Sequence, residues 1–97
     1  MNLGKAIKIA LEKKNLTQLE LANKTELSKT TISLILNGKT MPRKETIQAI
    51  ANALDLTPEI LLLMSIEKED VPEGKRQYYD VMWPNVENTL YQLFIKK

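Results

Sequence analysis

Between Thr17 and Gly38 this chain carries three helix boundaries in quick succession. Thr17-Gln18-Leu19-Glu20 has the form of a capping box. The threonine hydroxyl accepts from a first-turn amide, and the glutamate three residues on reaches back to the cap's own amide. Ser28 is a second N-cap residue. Asn37-Gly38 is a stop, because glycine takes the left-handed conformation that ends a helix without a Cβ clash. These marks predict one short helix ending near Lys24-Thr25 and another from Lys29 to about Leu36, with Leu21, Ala22, Ile32 and Ile35 facing inward. Each is only about two turns long, and helices that short are marginal alone. They persist as parts of a packed unit.

The flanking sequence supplies that unit. Leu3, Ala6, Ile7, Ala10 and Leu11 recur at helical spacing, and Asn15 can close that helix. After a connector from Lys39 to Arg43, Ile47, Ile50, Ala51 and Leu54 mark a fourth helix beginning about Lys44. Thr57-Pro58 opens a fifth, with threonine as cap and proline at the first helical position. Residues 66–72 read as a charged linker. Asp70-Val71-Pro72-Glu73 is then a candidate cap for a sixth helix bearing Tyr78, Val81 and Met82, and Pro84 separates it from a seventh bearing Val86, Leu90, Leu93 and Phe94. Sustained period-two alternation is absent, so no sheet is expected. The predicted fold is all-α: five helices over residues 1–65 and a C-terminal pair over 66–97.

Composition narrows the chemistry. The 97 residues suit one domain. No cysteine and no histidine are present, which excludes disulfides and Cys/His zinc sites and fits a reducing, cytoplasmic setting. Lys5 and Lys8 interrupt the early apolar residues, so no signal peptide is expected, and the longest apolar run, Ile60 to Met64, is far short of a membrane span. Residues 1–66 hold nine Lys/Arg against six Asp/Glu, and residues 67–97 five against six. An anionic partner is therefore expected on the first two-thirds. With no His or Cys and only scattered carboxylates, catalysis is not expected, nor any cofactor or metal.

Two short helices joined by a tight turn form a helix-turn-helix, whose second helix can enter a major groove about 12 Å wide. The stretches Leu16–Ala22, Leu27–Ser33 and Asn37-Gly38-Lys39 resemble the Cro/phage-repressor (XRE-type) helix-turn-helix domain, and the resemblance extends over residues 3–64. It implies a lambda-repressor-like five-helix domain that binds double-stranded DNA. Lys29, Thr30, Ser33 and Leu34 match groove-facing positions of the recognition helix. Lysine there donates to guanine, and leucine packs on a thymine methyl. Thr17 and Gln18, at the start of the second helix, match phosphate-contacting positions. Asn37, Lys39, Thr40, Arg43 and Lys44 lie where relatives grip the sugar-phosphate backbone. One departure has a physical reading. Relatives often pair an arginine late in the first helix with a glutamate before the Asn-Gly, where this chain has Leu11 and Leu36. Both halves are apolar, so neither strands a charge, and the two leucines are expected to touch.

All five aromatic residues, Tyr78, Tyr79, Trp83, Tyr91 and Phe94, fall outside the resemblance, and that much aromatic surface must be buried somewhere. Tyr78, Met82, Trp83, Val86, Leu90, Leu93 and Phe94 are the candidates to pack it, against a second subunit or against their own domain. The expected function is a sequence-specific DNA-binding regulator, a repressor acting as a homodimer, since two-fold pairing doubles the site that is read. The alternative is a protein-interaction module of the same fold, such as an antitoxin whose tail wraps a toxin. A ligand pocket lined by tyrosine and tryptophan is a third use for the tail.

Overall fold

A computed structural model describes residues 1–94, and among these every regular element is helical. The elements are α1 (Leu3–Lys14), α2 (Gln18–Thr25), α3 (Lys29–Leu36), α4 (Lys44–Ala53), α5 (Pro58–Met64) and α6 (Arg76–Tyr91), with single 3-10 turns at Lys68–Asp70, Glu73–Lys75 and Gln92–Phe94.

The caps sit where their side chains demand. Thr17 Oγ1 accepts from the Glu20 amide at 3.1 Å, and Glu20 Oε1 accepts from the Thr17 amide at 3.1 Å, closing the box on α2. Ser28 Oγ accepts from the Thr31 amide at 3.0 Å and starts α3. Thr57 Oγ1 accepts from the Ile60 amide at 3.2 Å, with Pro58 at the first position of α5. Asn15 closes α1 in the left-handed region (φ 55°), and Gly38 follows α3 with φ 70°. Glu26 (φ 60°) and Asp55 (φ 57°) are left-handed too and end α2 and α4. Aspartate shares asparagine's tolerance of this conformation, whereas glutamate does not announce such a turn.

One core joins these helices. Ile7 of α1, Leu21 of α2, Ile32 of α3, Ile50 and Leu54 at the end of α4, and Leu61 of α5 are all fully buried. Helix α1 packs on α3 and α5, and α2 on α3 and α4, so α3 is braced from two sides. The α1–α3 approach is very close. A Cβ at Gly4 would lie 2.4 Å from the Leu36 carbonyl oxygen and 2.9 Å from that of Ile35, so only glycine allows the first turn of α1 to meet the end of α3. Leu11 and Leu36 are both buried and belong to the same core.

The tail departs from expectation in two places. The pair of helices expected on either side of Pro84 is a single helix, α6, with Pro84 inside it. Proline cannot donate to the carbonyl one turn back, at Asp80, but both residues lie on the exposed side, where water can supply the missing partner. The helix is held beyond the proline by burial of Leu90, with Phe94 buried in the 3-10 turn that follows. The expected cap at Asp70–Glu73 is also not used. Asp70 accepts instead from the Glu67 amide (2.8 Å) and from the Met1 amino group, and α6 begins at Arg76 without a side-chain cap.

Helix α6 lies against α5, and the tail buries Leu90 and Phe94 on the chain's own domain. Tyr79 and Trp83 stack with ring centroids 5.4 Å apart, and the Lys13 ammonium sits 4.4 Å over the Tyr91 ring. The seven tail residues expected to pack thus divide. Leu90 and Phe94 are buried, Trp83 and Val86 half-buried, and Tyr78, Met82 and Leu93 exposed together with Val81. The last three residues of the 66–97 extension lie outside the described residues.

Candidate nucleic-acid interface

Helix α3 divides cleanly by face. Ile32, Ile35 and Leu36 point into the core, at 4% exposure or less. Lys29, Thr30 and Leu34 are exposed, and Ser33 is half-buried. Among the described residues, the tail does not cover this face, because α6 packs at α5 instead. Leu34 is 43% exposed on the same outer face. Ser33 Oγ accepts from Asn37 Nδ2 at 3.3 Å, so these two candidates are linked side by side at the C-terminal end of α3.

The remaining candidates flank that helix. Gln18 is exposed at the first position of α2, where unpaired amides and the helix dipole favour an anion. The Thr17 side chain caps the same turn, which fixes the orientation of those amides. Beyond α3, the Gly38 amide donates to Ile35 O (3.1 Å) and the Lys39 amide to Leu34 O (2.9 Å), folding the chain sharply back. That fold-back starts an exposed loop carrying Asn37, Lys39, Thr40 and Arg43 into the start of α4 at Lys44. Arg43 is the N-cap of α4 and makes no side-chain cap bond. Among the described residues, Lys29, Lys39, Arg43 and Lys44 take part in no ion pair, which leaves four cations available to an external anion.

Two features of this surface were not predicted. Lys5 and Lys8 share a shallow groove with Leu36, Asn37 and Gly38, which brings the first turns of α1 beside the end of α3. Sequence spacing showed only that these lysines lie off the buried face of α1; their neighbours depend on the helix crossing at Gly4. Met41, 73% exposed in the same loop, gave no signal beyond being an apolar residue between polar neighbours.

This geometry is that of a helix-turn-helix with an open second helix. Residues 7–61, more than half of the chain, match the family model described as helix-turn-helix. The chain belongs to the Cro/phage-repressor (XRE-type) helix-turn-helix family, a family of DNA-binding transcription regulators that is not typically enzymatic. No curated protein matches the chain. Among the described residues, no single helix is long and apolar enough to cross a membrane.

Proposed function

We propose that this protein is a sequence-specific double-stranded-DNA-binding repressor that acts in the cytoplasm as a homodimer, with α3 lying in the major groove. The observation that carries this reading is the uncovered outer face of α3, framed by unpaired cations. Lys29, Thr30, Ser33 and Leu34 contact base edges and supply choice of sequence. Thr17, Gln18, Asn37, Lys39, Thr40, Arg43 and Lys44 contact sugar and phosphate and supply affinity and register. An occupied operator excludes polymerase, so repression needs no chemistry. Support for pairing comes from Tyr78, Val81, Met82 and Leu93, four large apolar side chains that the tail leaves exposed among polar neighbours (75% at Val81). A second copy of the chain buries such a surface and doubles the DNA site.

Binding to a selected duplex, followed by fluorescence anisotropy across a salt series, tests the reading. Lys39, Arg43 and Lys44 from two subunits release counterions on binding, giving a log–log slope of about −5. Affinity that does not change with salt contradicts the proposal, as does failure to retain any duplex at low ionic strength.

A further inference from the structure

Helix α6 closes over α1 and the end of α5 to form a cleft of about 260 Å³, which shares Lys5 with the groove at the end of α3. That is just below the range of roughly 300–1,000 Å³ usual for drug-sized ligands, so it suits something smaller. Its wall is aromatic, with the stacked pair Tyr79 and Trp83 beside Tyr91. Glu87 also lines it, fixed in place by accepting from Trp83 Nε1 at 2.9 Å. Glu67, Glu69, Lys5 and Lys68 line it too. Lys68 is paired with Asp80 at 2.8 Å, and Glu67 lies 3.6 Å from the Met1 amino group. Among the described residues, neither Glu69 nor Glu87 has a cation within ion-pair distance, and Lys5 is the one lining ammonium that also has no ion pair, set against these two carboxylates. Burial first, and then the Glu87 carboxylate, push the Tyr79 and Tyr91 hydroxyls above their ordinary value. Aromatic faces attract cations by their quadrupole, more strongly once water is excluded.

We propose that this cleft binds a small organic cation, an ammonium with a hydrocarbon or aromatic body. The charge sits beside Glu87, and the body lies against Tyr79, Trp83 and Leu90. The proposal does not rest on the DNA-binding reading, and its test uses no DNA.

Trp83 is the chain's single tryptophan, so its fluorescence reports occupancy. Three probes with one ring and different charge are titrated: phenethylamine, phenethyl alcohol and phenylacetate. The amine saturates with Kd below about 1 mM, the alcohol binds at least about fivefold more weakly, and the carboxylate gives no saturable change. Glu87→Gln keeps an acceptor for the indole N–H while removing the charge. It weakens the amine roughly tenfold and leaves the alcohol unchanged. Equal affinity for amine and alcohol overturns the proposal. So does the absence of saturation by the amine up to about 10 mM, or an unchanged amine affinity in Glu87→Gln. If circular dichroism shows that this variant does not fold, the three-probe comparison on the unaltered chain decides.

Discussion

Replacing Gly4 by alanine tests whether the contact between α1 and α3 is as close as described. The added methyl would lie 2.4 Å from the Leu36 carbonyl oxygen, a full ångström inside ordinary contact at 3.4 Å. Its nearest neighbours are the backbone of Ile35 and Leu36, not the ends of flexible side chains, so relief requires the two helices to move apart. Overpacking of this kind costs about 1–3 kcal/mol. Alanine offsets part of that, because it is better than glycine in a helix interior by up to about 1 kcal/mol, and by less in a first turn such as this. The net expectation is a loss of about 1–2 kcal/mol, or roughly 5–15 °C in Tm for a domain of this size. Urea unfolding followed by circular dichroism at equilibrium measures it. Gly74→Ala is the control: no atom lies within 4 Å of its added methyl, so the midpoint stays within about 0.5 kcal/mol of the unaltered chain. A Gly4→Ala protein as stable as the control would refute the close-approach argument.

Leu36→Glu buries an acid with no partner at a site only 4% exposed and lowers stability by about 3–5 kcal/mol, while adding Leu11→Arg recovers part of the loss; urea midpoints of the two variants check both. Lys29→Ala weakens the preferred operator by about 1–3 kcal/mol and barely changes non-specific binding, whereas Arg43→Ala weakens all sequences alike, as anisotropy on matched and scrambled duplexes distinguishes. Val81→Asp, at a position 75% exposed, leaves the thermal midpoint nearly unchanged and shifts sedimentation toward the monomer; an unshifted dimer removes the tail's outer face as the pairing surface.

The parts of the fold that were legible in the sequence are those fixed by local chemistry. A threonine, a serine and an Asn-Gly pair satisfy or terminate backbone hydrogen bonds within a few residues of themselves, so the limits of α2 and α3 follow from residue type. Pro58 and Thr57 mark the start of α5 in the same way. Features decided by tertiary packing were not legible. Pro84 reads as a break, yet burial of Leu90 and Phe94 carries the helix past it on a side where water replaces the lost bond. Gly4 carries no signal in the hydrophobic period of α1, yet its lack of a side chain sets the distance between two helices. Glu26 becomes left-handed because the chain must turn there, not because of its own preference. In the candidate interface, the limits of α3 and its inner face were readable from period and caps, and its groove-facing residues only through the family resemblance. The approach of Lys5 and Lys8 to the end of that helix depends on the crossing at Gly4. The division of the aromatic tail, one side on its own domain and the other bare, likewise required the path of α6.

The most direct test is selection of bound sites from a pool of random duplex DNA at low ionic strength, followed by sequencing. An α3 that reads the major groove from each of two subunits enriches a two-fold symmetric consensus, its half-sites about 10–10.5 base pairs apart centre to centre. Sequences no different from the starting pool after repeated rounds would contradict the assignment of α3 as the reading helix.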